Sequence, residues 1–424
     1  MNTLATSIVW MGYIVSLYFS VFLFLVYLDK RSLFHNSHST TTVRRYPLVS
    51  ILVPAYNEEE TILKTLESIY RLDYPKDKLQ VIVINDGSRD KTEQIVQEYI
   101  NDKPHFQLLS HSNQGKAASL NRGLEIAKGE FFACLDADSF VDTKTLRKMI
   151  ALHEEKNDER LAIITPAMKV DQPRNLLQKI QWLEYIVIIL IARLVSYLDS
   201  LYVAPGPFSL YRTEIIRKLG GFDEQSMTED QEIAYRVQQH HYRITQCVDG
   251  YVHTTAPQRL KAFYFQRRRW YLGSMICVHQ YRSLIANRKY GDFGMMQMVK
   301  NALGYILAIA GIIIAVYLLV IPLWRWMKDL FLVKFNIIPY ITSLSIKFDI
   351  MQLLLLDFKK IFIIGFLVGL GFFFFYLAHV NAREKMTKWG WFPLVPYAAF
   401  YYLLKGAILL LCLVEFSRGK KIRW

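Results

Sequence analysis

Two carboxylates one residue apart, Asp136 and Asp138, close the apolar run "FFACLDADSF" of residues 131–140. Like charges side by side at the mouth of a core strand ask for a reason. A solvated turn or a helix cap is one answer. A site for a cation and a polyphosphate is the other. Two more strand ends carry polar clusters: "PAYNEE" at 54–59, with Tyr56 and Glu58, and "NDGSRD" at 85–90, with Asp86. Asp86-Gly87-Ser88 also suits a plain turn, and Asp90 a helix cap. A site lined with carboxylates repels bare phosphate. It needs a divalent cation, Mg2+ or Mn2+, which prefers oxygen ligands and keeps water and phosphate oxygens in its shell. Asp138 would hold that ion on a nucleotide diphosphate, with Asp136 close behind.

The elements that must position these residues alternate. Strands are expected at Val49–Tyr56, Leu79–Asn85, Phe106–Leu109 and Phe131–Leu135, and helices at Glu58–Arg71, Lys91–Ile100 and Lys116–Ala127. Such alternation predicts a mostly parallel sheet with helices on both faces. Ligands then sit beyond the carboxyl ends of the strands, where Glu58, Asp86, Asp136 and Asp138 would converge. No GxGxxG follows the first strand, and "NQGKAAS" lacks the spacing of a GxxxxGKS loop. A dinucleotide dehydrogenase and a P-loop ATPase are disfavoured on that ground.

The chain has 424 residues, 52% of them hydrophobic, and a net charge of +14. Its ends carry apolar runs of about the 20 residues a membrane helix needs: Ile8–Leu28, Ala302–Trp324, Ile361–Val380, and Trp391–Leu413, which Lys405 interrupts. Lys30, Arg31, Arg44 and Arg45 follow the first run, Arg288, Lys289 and Lys300 precede the second, and Arg383, Lys385 and Lys388 follow the third. These groups predict a cytoplasmic soluble region in a multi-pass protein of the plasma membrane, not a nucleic-acid binder. The basic tail Arg418–Arg423 disagrees with four crossings. Four scattered cysteines, with no CxxC pair, argue against a zinc site.

"VPAYNEE", "NDGSRDKT", "NQGKAASLNRGL", "LDADS", "TED" at 228–230 and "QRRRW" at 266–270 together resemble the processive branch of the family 2 inverting glycosyltransferases. That branch includes cellulose, chitin, hyaluronan and poly-N-acetylglucosamine synthases; the layout is most similar to the poly-β-1,6-N-acetylglucosamine synthases. The resemblance covers about residues 45–280. It implies an α/β glycosyltransferase A-type, Rossmann-like cytoplasmic domain fused to an α-helical transmembrane region. The expected division is an anchor at 1–30, a catalytic domain at 45–260, interface helices at 261–300 and a membrane region at 301–424. The partners it implies are a UDP-sugar donor, a polysaccharide or lipid acceptor, the lipid bilayer and an accessory membrane subunit.

By motif, Tyr56, Glu58 and Asp86 would bind the nucleoside, with Lys116 near it, and Asp136 and Asp138 would contact the diphosphate. Asp230 would be the base; Glu229, Gln266, Arg269 and Trp270 would hold diphosphate and acceptor. A sugar hydroxyl is a poor nucleophile, and a carboxylate can take its proton as the bond to the anomeric carbon forms. The other reading of Asp230 is service to a helix dipole, with Thr228 as cap. Gln266, Arg269 and Trp270 fall on one helical face, and Arg267 and Arg268 would reach lipid headgroups if the helix lies on a membrane. Residues 180–201 form another expected interface helix, because Glu184 and Arg193 argue against a span. Gly206, between two prolines, suits a rigid turn close to ligand or a plain surface loop. Where processive relatives carry acidic residues before QxxRW, this chain has "HTTAPQRL".

Overall fold

A computed structural model of the chain describes residues 3–35, 43–316, 320–332 and 358–418. After helix α1 (Thr3–His35), strands and helices alternate: β1 (Val49–Ala55), α2 (Ile62–Tyr70), β2 (Leu79–Asn85), α3 (Thr92–Ile100), β3 (Phe106–Ser110), α4 (Lys116–Ile126) and β4 (Phe131–Cys134). Then come β5 (Ser139–Val141), α5 (Thr145–Lys156), β6 (Leu161–Val170), α6 (Leu176–Ser196), β7 (Leu210–Arg212), α7 (Thr213–Lys218), α8 (Glu229–Gln239), β8 (Arg243–Thr254) and α9 (Leu260–Gln280).

The eight strands form one sheet in the order β3-β2-β1-β4-β7-β6-β8-β5. The half from β3 to β4 is parallel, as expected. The other half is mixed: β7 runs antiparallel to both β4 and β6, and β5 antiparallel to β8. The difference between the two halves has a physical reason. β1, β2 and β4 are apolar runs buried on both faces, which marks parallel strands, and β3 is the partly buried edge. The later ones are short or interrupted by polar residues and carry no such signal. Side chains alternate across the sheet. Ile51, Val53, Val81 and Val83 meet Ile62, Leu66 and Met149 on one face. Leu52, Ile82 and Ile84 meet Leu120, Leu124 and Val237 on the other. The helix expected from Glu58 starts at Ile62; Glu58 instead closes a turn, its carbonyl accepting from Thr61 and Ile62.

Beyond α9 lie α10 (Val299–Ala315), α11 (Ile321–Leu332), α12 (Phe358–Ala382) and α13, an apolar helical span (Leu394–Ser417) with a π-helical turn at Tyr397–Tyr401. Among the described residues three helical stretches are long and apolar enough to cross a membrane: Trp10–Phe34, Gly365–Ala382 and Leu394–Ser417. The expected run Ala302–Trp324 falls on α10 and α11, with residues 317–319 between them outside the described set. The basic tail beyond Arg418 and most of the segment Arg325–Lys360 lie outside it as well. α6 opens with a capping box: Asn175 accepts from the Gln178 amide, and Gln178 returns a bond to the Asn175 backbone. Its apolar side chains pack with α9, α12 and α13 into one core.

Candidate active site

The site is built on the carboxyl edge of the sheet. The loops after β1 and β2 are stitched together. Asn57 Oδ1 accepts from the Arg89 amide at 2.8 Å, and Thr92 Oγ1 from the Glu58 amide at 2.8 Å. Tyr56 stands exposed at this rim. Asp86 is buried, and its carboxylate accepts from the backbone amides of Gln114 and Gly115 at 2.8 and 2.9 Å. Asp86 therefore sets the turn that launches α4, and α4 starts with Lys116. The resemblance puts Lys116 near the nucleoside. Its backbone lies beside the turn that Asp86 organises, and its ammonium pairs with Asp136 Oδ1 at 2.5 Å and Glu229 Oε1 at 3.0 Å.

Lys116 thus joins the end of β4 to the start of α8. Burial works against its charge, but Asp136 and Glu229 outweigh burial and hold its pKa above the ordinary lysine range. Burial likewise works against Glu229, yet Lys116 and Arg269 keep that carboxyl below its usual value. Asp230, one residue on, goes the other way. Burial first and the neighbouring Glu229 second push it up to about 6, against the opposing charges of Lys116 and Arg269. Burial and then Asp136 also raise Asp138. Glu58 is raised by burial, against its bond from Thr61, with Asp138, Asp136 and Asp90 adding to the rise. Glu58, Asp136 and Asp138 therefore share one electrostatic neighbourhood, while Asp86 organises the adjoining loop.

The turn around Gly206 closes on this cluster. A Cβ at Gly206 would lie 2.7 Å from Lys116 Nζ and 3.2 Å from Asp136 Oδ2. A methyl group here would have to displace the ion pair. The Ala204 amide donates to the Asp230 carbonyl at 3.1 Å, which ties the same turn to α8.

α9 supplies the other wall. Arg269 is near enough to Glu229 and Asp230 for its charge to help keep Glu229 low and to restrain the rise of Asp230. Gln266 Oε1, on the same helix, is buried with no hydrogen-bond partner among the described residues. Trp270 is half-buried, and the Arg267 guanidinium lies 4.2 Å from its ring centroid. Two expectations are corrected here. Arg267 does not reach headgroups: it is 2% exposed and paired with Glu184. Thr228 holds the N-cap position of α8, but its side chain makes no capping bond; its hydroxyl faces Cys277 Sγ of α9 at 3.8 Å. Tyr185 of α6 was not foreseen. Burial pushes its phenol up to about 12, and it feels the charges of Asp138 and Arg269. A tyrosine beside Glu184 on an apolar helix was its only signal.

A divalent ion fits Asp138. Lys116 takes Asp136 and Glu229 and leaves Asp138 without an ion pair among the described residues. One hard carboxylate can anchor Mg2+ or Mn2+ whose remaining ligands are phosphate oxygens and water. Among the described residues no group of three or more His, Cys, Asp or Glu is arranged to hold a metal by itself. The arrangement suits an ion that arrives with its polyphosphate.

Residues 50–220 match the sequence profile of Glycosyl transferase family 2. The matched stretch runs from β1 through α7 and includes Asp136 and Asp138, while Asp230 and α9 lie beyond it. A poly-β-1,6-N-acetyl-D-glucosamine synthase of Staphylococcus epidermidis is 30% identical over 250 residues, 58% of this chain and 60% of that protein. A probable glycosyltransferase, YdaM, of Bacillus subtilis is 29% identical over 242 residues, 56% of this chain and 57% of that one. The matched stretches thus span less than two thirds of either relative. The mannosyltransferase PcManGT from Pyrobaculum calidifontis, solved with GDP-Man and Mn2+, aligns at a TM-score of 0.56 and 18% identity, covering 88% of this chain and 98% of that one. That likeness is one of fold: the domain is of the glycosyltransferase A type.

Proposed function

We propose that this protein is an inverting glycosyltransferase that moves N-acetylglucosamine from its UDP donor to a growing polysaccharide at the membrane. The observation that carries the chemistry is the pairing of Asp230, raised to about 6, with Glu229, held ionised by Lys116 and Arg269. A carboxylate with a raised pKa that is still ionised at neutral pH is a better proton acceptor than an ordinary aspartate. Asp230 takes the proton of the acceptor hydroxyl as that oxygen bonds to the anomeric carbon. Attack from the face opposite the leaving diphosphate inverts the centre. Asp138 would hold a divalent ion, which would offset the charge of the departing nucleoside diphosphate, so that no protein acid would be required there. Arg269 adds a fixed positive charge on the same side. Tyr56, Glu58 and Asp86 line or shape the nucleoside end; Gln266 and Trp270 meet the acceptor.

The sugar and the polymer are taken from the named relative of Staphylococcus epidermidis. The three apolar helical stretches support a membrane-bound enzyme. A second reading, transfer of one sugar to a membrane lipid, is favoured by one observation. Trp270 packs in the same apolar core as α12 and α13, so an acceptor could reach it from the bilayer. The experiment is sugar transfer by the detergent-solubilised full chain with UDP-N-acetylglucosamine and Mg2+ or Mn2+, followed by sizing of the product. A long polymer supports the first reading; a lipid carrying one or two sugars replaces it with the second.

A further inference from the structure

Three helices meet around one buried carboxylate. Glu184 of α6 is 6% exposed. Its Oε2 accepts from Arg267 Nη2 of α9 at 2.5 Å and from the Tyr401 hydroxyl at 2.6 Å; its Oε1 accepts from Lys405 Nζ of α13 at 2.7 Å. Lys405 is the residue that interrupts an otherwise apolar span, and the cluster accounts for it. Yet a buried charge cluster is weak ground for stability, because well-packed apolar side chains often do as well. Its position suggests another use.

Arg267 sits three residues before Trp270 on α9. Its guanidinium lies 4.2 Å from the Trp270 ring centroid and 4.9 Å from that of Phe263. A flat guanidinium stacked on an indole restrains the plane of the ring. The bond to Glu184 restrains the guanidinium, and Lys405 ties Glu184 to α13. The chain of contacts runs from an apolar span to the ring read above as meeting the acceptor, and none of its charged members pairs with Lys116 or Glu229.

We propose that Arg267 is a positioning residue for acceptor binding. Held by Glu184 and Lys405, it sets the plane of Trp270 and makes acceptor affinity depend on the seating of α13. The proposal rests on the reading of Trp270 as the acceptor platform. Arg267→Lys is the informative variant: it keeps a cation for Glu184 but removes the planar stack.

The full chain in detergent is assayed with UDP-N-acetylglucosamine as donor and a β-linked N-acetylglucosamine pentasaccharide as acceptor. KM for each substrate and the melting temperature are measured for wild type, Arg267→Lys and Trp270→Ala. The expected result for Arg267→Lys is an acceptor KM raised about fivefold, as loss of a cation–π contact implies, with donor KM and melting temperature unchanged. A wild-type acceptor KM in Arg267→Lys beside a raised one in Trp270→Ala overturns the proposal and leaves the reading of Trp270 standing. A wild-type acceptor KM in Trp270→Ala, or no transfer to the pentasaccharide by the wild type, overturns both. A joint rise in both KM values with a lower melting temperature makes Arg267 a residue of the fold and also overturns it.

Discussion

Asp230, the proposed base, has surroundings that oppose each other. Burial and Glu229 raise it to about 6, while Lys116 and Arg269 restrain the rise. Transfer should therefore fall about tenfold for each pH unit below about 6, read as the acid limb of kcat/KM. Lys116→Met removes one restraint. The limb should move to higher pH, and the unpaired carboxylates should cost on the order of 3 kcal/mol of stability. Urea unfolding against pH-rate profiles separates the two effects. The raised pKa also has a stability sign. The folded state holds the Asp230 proton more tightly than the unfolded chain, so this contribution is present below the unfolded pKa and is lost as pH rises through about 6. Asp230→Asn should abolish transfer yet raise the melting temperature, and by more at pH 7 than at pH 5. Gly206→Ala would press a methyl group onto the Lys116–Asp136 pair. Transfer should drop at least tenfold, the scale of one misplaced catalytic contact, while circular dichroism stays as in wild type. Glu58, Asp86, Asp136 and Asp138 could be picked out in sequence because each follows a buried apolar strand, whereas Asp230, in the first turn of α8, came from the resemblance alone. The bridge made by Lys116 was not, since residues 116, 136 and 229 are far apart in the chain and meet only through α4, β4 and α8.

At the scale of elements, the seam between α8 and α9 brings the Asp230 helix to the Gln266–Trp270 helix. Gly273 makes the seam possible: a Cβ there would lie 2.4 Å from Thr228 Cγ2 and 2.5 Å from its hydroxyl. Gly273→Ala should push α9 off the start of α8 and depress transfer, and Thr228→Ala in the same chain should restore much of it. Recovery in the double variant, measured as kcat/KM, is the check. Thr228 also shows where sequence reading stops. Ser and Thr before an acidic first turn are ordinary cap signals, but tertiary packing on Gly273 and Cys277 claimed the side chain. β1 to β4 could be read from their apolar runs. The antiparallel insertion of β7 could not, because a three-residue strand has too few positions to show alternation. The same limit applies to Arg267, which in "QRRRW" looks like its two neighbours and differs only in meeting Glu184, 83 positions away.

Taken whole, the molecule joins a glycosyltransferase A-type domain to apolar helices. α1, α12 and α13 were legible because about 20 apolar residues in succession have few other uses. For α6, Glu184 and Arg193 argue in sequence against a span, and the structure adds that both side chains are buried and paired with helices of the apolar region. The metal belongs to this scale too, since its remaining ligands would come from the donor. Chelation with EDTA should stop transfer, and added Mn2+ or Mg2+ should restore it; full activity in EDTA would remove the ion from the account. The most direct measurement is UDP release and product size for the purified full chain given UDP-N-acetylglucosamine and a divalent ion, beside Asp230→Asn. The account predicts UDP release coupled to an inverted, high-molecular-weight product, with both lost in Asp230→Asn. Transfer that persists in Asp230→Asn would contradict the assignment of the base and, with it, the central claim.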